Sequence, residues 1–211
     1  MLKPVVSFRQ IHGLSLIELM VALVAGLVVS GAAVALIVSI IKSNAATIQS
    51  TRLTQELRTT AEVITRDLRR ARSITDPIAN VGLDPTKLMK DCNAITPAAG
   101  VSATCVTFGY DCTYSTAGVL QSGNFVAIGL AGGAIRRVSS STGAAACPTT
   151  TTGTAISSAT LAITTFNVTA LAAPADGFAV QLEGKFANDS SASPLIRKIT
   201  QEIRVRSAAV N

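Results

Sequence analysis

The fold is decided near the N-terminus by the stretch GLSLIELMVALVAGLVVSGAAVALIVSII, residues 13–41. Residues 19–41 contain no charged side chain, and an apolar run of about 20 residues is long enough to cross a bilayer as a helix. One carboxylate, Glu18, lies at the start of this run with apolar residues on both sides. Because an ionised group is costly in lipid, Glu18 predicts a functional site that includes a positively charged partner.

A cut after Gly13 would create that partner, because the new amine of Leu14 lies at the depth of Glu18. The residues from Gly13 to Met20 resemble the cleavage and methylation motif of type IV pilins and pseudopilins, although His12 stands where the family commonly has a basic residue. The resemblance implies that a prepilin peptidase removes residues 1–13 and that Leu14 becomes an N-methylated N-terminus. It also implies that Glu18 pairs with the N-terminus of a neighbouring subunit during assembly.

Two other kinds of N-terminus remain open. A secretory signal peptide would use Lys3 and Arg9 as its basic start and the small residues 31–35 as its cleavage site. Its apolar core, however, is about 7–15 residues long, shorter than the run seen here. A plain membrane anchor explains the length but leaves Glu18 without a partner. Lys3 and Arg9 favour a cytoplasmic N-terminus, with the rest of the chain in the periplasm or outside the cell.

The periodicity predicts one long helix over residues 14–75, with a membrane span at about 19–41 and an amphipathic half at 42–75. The amphipathic half carries apolar residues at spacings of four and three: Leu53, Leu57, Ala61, Ile64, Leu68 and Ala71. Pro77 disfavours helix at the residue before it, so the helix is predicted to end near Thr75. Residues 76–100 contain several Pro and Gly residues and are predicted to be a connecting loop.

Residues 101–211 have the patterns of β-strands and are predicted to form the head. Phe178, Val180 and Leu182 alternate with polar residues, and the pair Gly132-Gly133 between two apolar runs predicts a hairpin. We therefore predict an α+β fold, in which a long N-terminal helix packs on an antiparallel β-sheet. The resemblance implies the same arrangement, which is the pilin fold.

The four cysteines are disulfide candidates: Cys92, Cys105, Cys112 and Cys147. An even number in an exported chain predicts two disulfides with three alternative pairings. We favour the pairing of neighbours, Cys92 with Cys105 and Cys112 with Cys147. The spacing is not that of a metal site, and the single histidine, His12, lies in the leader; no metal is predicted.

The head carries no recognisable catalytic motif. Its carboxylates are scattered, and Asp84 and Asp91 fit no calcium-binding loop. We therefore predict no enzyme activity and no cofactor. The net charge of +6 at pH 7 raises nucleic-acid binding as a rival role, but no aromatic residues are interleaved with the basic ones, which favours solvated surfaces at residues 52–72 and 197–206.

The finer assignment rests on two short stretches, TRDLRRA (65–71) and IRVR (203–206), which resemble those of PilW-type minor pilins and J-type pseudopilins. The first interpretation is a minor pilin of a type IV pilus that primes the filament tip. The alternatives are a type II secretion pseudopilin, a major pilin, or a tip-displayed adhesin or DNA-binding module that uses Arg136, Arg137 or residues 197–206. The expected partners are prepilin peptidase, other pilins and the inner-membrane assembly platform. The expected location is the inner membrane and then a surface pilus or a periplasmic pseudopilus.

Overall fold

One helix is followed by eight strands in the computed structural model, which describes residues 15–75, 92, 95–98, 100–115, 117, 119–141, 143–171 and 177–205. The elements are α1 (Leu16–Arg69), β1 (Ser102–Ala103), β2 (Cys105–Tyr114), β3 (Leu120–Ala131), β4 (Ala134–Ser140), β5 (Thr154–Ala155), β6 (Leu161–Ala170), β7 (Gly177–Phe186) and β8 (Arg197–Arg204). The chain divides into two compact units, Met1–Ile48 and Gln49–Asn211.

The described part of the first unit is helix, as the apolar run predicts. Its side chains are exposed all around the helix, and Leu27 and Val29, for example, are 67% and 69% exposed. Gly26 and Gly31 lie within the helix, and the Ser30 hydroxyl donates a hydrogen bond to the Gly26 carbonyl at 2.7 Å. This segment is long and apolar enough to cross a membrane.

In the second unit, α1 buries the predicted apolar stripe. Leu53, Leu57, Ile64 and Leu68 are fully buried. The stripe packs against side chains from both sheets in one core, which includes Phe108, Val126, Ile128, Ile135, Phe166, Val180, Leu182 and Ile203. The outer half of α1 is thus an integral part of the folded head.

The expected helix end at Thr75 is wrong, because α1 ends at Arg69. Arg72 has a φ of 64°, and its N–H donates to the Gly109 carbonyl at 2.8 Å. The Thr75 N–H donates to the Cys112 carbonyl at 3.1 Å. These bonds place the residues after α1 beside β2, where Ile74 forms a parallel bridge with Cys112, and they replace the next helical turn.

The strands form two four-stranded sheets in the orders β1-β6-β7-β8 and β2-β3-β4-β5. All pairs of neighbouring strands are antiparallel, so the predicted α+β fold with antiparallel strands is confirmed. The predicted hairpin joins β3 to β4, where Gly132 and Gly133 have φ values of 62° and 74°. Two consecutive positive φ values suit glycine and match the twist of a tight hairpin.

An irregularity in β2 divides the packing of this strand between two clusters. Asp111 has a φ of 49°, and the register with β3 shifts between Tyr110 and Thr113. Before the shift, Phe108 packs in the core with α1. After it, Cys112 and Tyr114 pack in a second cluster with Phe125. The extra residue therefore turns the later side chains towards the other face of the sheet.

All four cysteines form disulfides, but the favoured pairing of neighbours is wrong. Cys92 is bonded to Cys112 and Cys105 to Cys147, with Cα–Cα distances of 6.4 and 6.0 Å. Cys105 is the first residue of β2, and Cys112 directly follows the irregular residue Asp111. Each of the two is bonded to a cysteine outside this strand. Glycines make room for both bridges: a Cβ at Gly123 would lie 2.7 Å from Cys112 Sγ, and one at Gly129 would lie 3.2 Å from Cys105 Cβ.

Candidate functional site on the N-terminal helix

Glu18 lies in the first turn of α1, where its carboxylate turns back towards the start of the helix. The Ser15 N–H points at Glu18 Oε2 over 3.5 Å, and the Ser15 carbonyl accepts the first helical bond from the Leu19 N–H at 3.1 Å. Ser15 is thus the N-cap, and Glu18 occupies the third helical position, as in a capping box. The sequence analysis missed Ser15, although the Ser-x-x-Glu spacing was a readable signal for it.

The two predicted processing residues, Gly13 and Leu14, lie outside the described residues. The position of Glu18 is nevertheless informative, because its carboxylate faces the backbone that directly follows Leu14. A carboxylate at a helix N-terminus is also stabilised by the positive end of the helix dipole. The side chain is exposed and is thus accessible to a cation.

The surface that surrounds Glu18 and continues to Ile41 is almost entirely apolar, and it is followed by the polar residues Lys42, Ser43, Asn44 and Thr47. Leu, Val and Ile side chains are exposed in every direction around the helix, including Leu16 (78%), Ile17 (70%) and Ile48 (67%). Each such side chain gains about 1.5–3 kcal/mol when it leaves water. A helix that is hydrophobic all round requires an apolar environment, so this surface is suited to lipid or to other helices of the same kind.

The arginines considered for nucleic-acid binding make contacts within the head. Arg136 Nη1 donates to the Gly153 carbonyl at 3.0 Å. Arg137 Nε lies 3.3 Å from Asp67 Oδ2, and its Nη2 donates to the Tyr110 hydroxyl at 3.0 Å. The structure therefore does not bring Arg136 and Arg137 together as a free cationic patch.

Residues 197–206 are the other cationic candidates. Arg197 donates to the Ser50 hydroxyl from Nε at 3.2 Å and from Nη2 at 2.6 Å. Lys198 and Arg204 are exposed on β8. Arg206 lies outside the described residues.

A polar network that sequence reasoning missed fixes the end of α1 to β2. Arg70 forms an ion pair with Asp111, and its guanidinium lies 4.4 Å from the centre of the Tyr110 ring. The Ser73 hydroxyl donates to Asp111 Oδ1 at 2.8 Å. These contacts hold Asp111 at the irregular position of β2, and no local sequence pattern pairs residues that are so far apart in the chain.

A second polar feature is the turn that follows β7. Asp189 accepts hydrogen bonds from the Ser191 hydroxyl at 2.6 Å, the Ser191 N–H at 3.1 Å and the Leu195 N–H at 3.1 Å. These hydrogen bonds, led by that of the Ser191 hydroxyl, lower the pKa of Asp189 because they favour its charged form. The turn lines an open groove of about 600 Å³ together with Gln49 and Arg52.

Within the described ranges, no three His, Cys, Asp or Glu side chains converge as metal ligands would. The two cation candidates from the sequence, Asp84 and Asp91, lie outside those ranges.

Comparison with known proteins identifies the family. The profile described as prepilin peptidase-dependent protein B matches residues 46–205, and the prokaryotic N-terminal methylation motif matches residues 8–34. No curated protein sequence matches the chain. A type IV-like pilin from Thermus thermophilus is similar in structure with 11% identity and a TM-score of 0.42, over 73% of this chain and 97% of the other. The chain therefore belongs to the prepilin peptidase-dependent protein B family, and it carries the N-terminal methylation motif.

Proposed function

We propose that the protein is a minor pilin, PilW-like in type, that helps to prime the tip of a type IV pilus. Prepilin peptidase cuts after Gly13, Leu14 is methylated, and the helix enters the filament from the inner-membrane assembly platform. The observation that carries the proposal is the exposed apolar surface of residues 16–41, with Glu18 near its start.

Two contributions to the free energy of the proposed assembly can be distinguished. The helix moves from lipid to a bundle of similar helices, and this transfer between two apolar media changes the hydrophobic free energy little. Glu18 exchanges a poorly solvated position for a salt bridge with the amine of a neighbouring Leu14. A desolvated charge pair mainly selects the correct register, since a charge that is buried without its partner is strongly unfavourable.

The capping contact refines the proposed role of Glu18. Its carboxylate is directed to the Ser15 N–H, close to the position at which the proposed amine is created. Glutamine also satisfies a capping box, whereas it cannot neutralise an amine. The two roles of Glu18 are therefore separable by one substitution.

A pseudopilin of a type II secretion system is the second candidate, because the same helix and carboxylate serve its assembly. The two candidates differ in the location of the polymer, which is the cell surface for the pilus and the periplasm for the pseudopilus. A tip-displayed DNA-binding role has less support, since Arg136, Arg137 and Arg197 donate to groups within the head.

The test uses the full chain in cells that produce a prepilin peptidase and a complete pilus system. We expect Glu18→Ala and Glu18→Gln to insert and to be processed, but to reach the sheared filament fraction on the order of tenfold less, equivalent to about 1.4 kcal/mol. Glu62→Gln, an exposed carboxylate on the same helix, is the matched control and should assemble normally.

Normal assembly of Glu18→Gln would overturn the charge-pairing step, because that variant retains the cap. Filament subunits that stay within the periplasm in the wild type would instead favour the pseudopilin. Loss of membrane insertion in Glu18→Ala is not expected, since removal of a charge makes the span more apolar.

A further inference from the structure

We propose that the outer edge of β8 binds an extended, acidic segment of another protein chain, which adds to the sheet as a further strand. The proposal concerns the head and is independent of the role of residues 16–48 in assembly.

The first step is the position of β8, the last strand in the order β1-β6-β7-β8. The Gly177 carbonyl accepts a bond from the Leu171 N–H at 2.9 Å on the β6 side. Because backbone groups alternate in direction along a strand, the next residue, Phe178, bonds to β8, where Ile203 lies opposite it. Ile203 therefore directs its N–H and C=O towards β7.

The same alternation fixes which backbone groups of β8 point away from the sheet. They belong to the even-numbered residues Lys198, Thr200, Glu202 and Arg204, all of which have exposed side chains. Among the described residues, no backbone or side-chain group bonds to these outward N–H and C=O groups. An edge with free backbone groups at alternate residues is the surface to which an extended peptide adds.

The second step is a groove of about 540 Å³ between this edge and α1. Glu62, Arg66 and Arg69 line the groove from the helix, and Gln201 and Glu202 line it from β8.

The charges around the groove determine the chemistry of the occupant. The groove is lined by two cations, Arg66 and Arg69, and by two carboxylates, Glu62 and Glu202. Lys198 and Arg204, which are exposed along β8 beside the groove, add two further cations to this edge. The excess of positive charge favours an acidic segment. Charged side chains on an edge strand also discourage indiscriminate pairing, so the same residues select the partner by its charge.

The test uses the full-length protein in detergent and a fluorescent peptide of alternating Val and Glu that is long enough to span β8. Binding is followed by fluorescence anisotropy. One control peptide has Lys in place of Glu. A second keeps Glu but carries an N-methyl group at every residue, which removes the N–H donors on both edges of the peptide without any change in charge. We expect the unmodified Val-Glu peptide to bind saturably. Neither control peptide should bind.

Two pairs of variants test the edge and the charge separately. Thr200→Pro removes one outward N–H and keeps the ladder to β7, since proline is tolerated on an edge. It should weaken binding on the order of tenfold, whereas Thr200→Ala should leave binding unchanged. The double variant Arg66→Glu/Arg69→Glu should weaken binding similarly, and Arg58→Glu, an exposed cation of α1 outside the groove, should not.

Equal binding of the N-methylated peptide or of the Lys peptide would overturn the proposal. The charge variants keep the test valid if Thr200→Pro unfolds, which circular dichroism detects. Concentration-dependent dimerisation that Thr200→Pro abolishes, without binding of the acidic peptide, would assign the edge to a second copy of this chain and would also overturn the proposal.

Discussion

Residues 16–48 and residues 49–69 are both parts of α1, but their apolar side chains differ in solvent exposure. In the first part, Leu27 and Leu36 are 67% and 62% exposed, whereas in the second part Leu53 and Leu57 are fully buried. The first part is apolar around its whole circumference as far as Ile41, and the second has one apolar stripe with charged residues elsewhere.

The difference shows where each part obtains its stability. Residues 49–69 are stabilised by the core that they share with both sheets. Residues 16–48 belong to the other unit and expose their Leu, Val and Ile side chains, which suits a helix that lies in lipid or among other helices. Substitutions in the two parts should therefore have separable effects on the stability of the head and on assembly.

The largest expected effect compares the same substitution in the two parts. Leu57→Ala leaves a cavity in the core and should lower the free energy of unfolding of the head by about 3–5 kcal/mol. Leu36→Ala should change it by less than about 0.5 kcal/mol. Urea unfolding of the detergent-solubilised full chain, followed by near-ultraviolet circular dichroism, measures both. Similar losses in the two variants would contradict the division of α1.

The second prediction concerns the disulfides, a covalent constraint that only the head has among the described residues. Removal of one disulfide should have a smaller effect than Leu57→Ala. The Cys105–Cys147 disulfide closes a sequence separation of 42 residues. Replacement of both cysteines by Ser should lower the free energy of unfolding by about 2–4 kcal/mol, chiefly because the unfolded chain gains freedom. The variant should still insert into membranes as the wild type does, which carbonate extraction checks. Loss of insertion would show that the span depends on the head.

The sequence predicted the long helix, the apolar stripe and the hairpin because each depends on local spacing. The predicted helix end was wrong. Pro77 predicts a helix that stops just before it, but the chain leaves the helix earlier because Arg72 and Thr75 form backbone hydrogen bonds with β2. Such bonds join residues that are distant in the chain, and no local pattern contains them.

The disulfide pairing failed for a related reason. Proximity in sequence favoured Cys92 with Cys105, but Cys92 is bonded to Cys112, which follows the irregularity at Asp111 in β2. The tertiary fold, and not distance along the chain, brings these two cysteines together. At the candidate site, Glu18 was predicted from its charge at the start of the apolar run and from the resemblance to the prepilin motif. Its contact with Ser15 is encoded locally by the Ser-x-x-Glu spacing.

The smallest expected effect concerns pH and is confined to the head. The hydrogen bonds from Ser191 and Leu195 lower the pKa of Asp189 in the folded state, so its charged form stabilises the fold at pH values above the unfolded pKa of about 3.9. This contribution is lost as the pH falls through the folded pKa. The difference in stability between the wild type and Asp189→Asn should therefore be constant near neutral pH and shrink below about pH 4. Urea unfolding across that range tests this, and a difference independent of pH would contradict it.

The central claim is that residues 16–48 carry a processed N-terminus into contact with other subunits. Mass spectrometry of the N-terminal peptide of protein purified from cells with a prepilin peptidase tests it most directly. We predict a chain that begins with N-methylated Leu14, and the intact Met1 form when the peptidase is absent. A chain that begins at Met1 despite the peptidase, or one that begins near Ala35 after ordinary signal cleavage, would contradict the account.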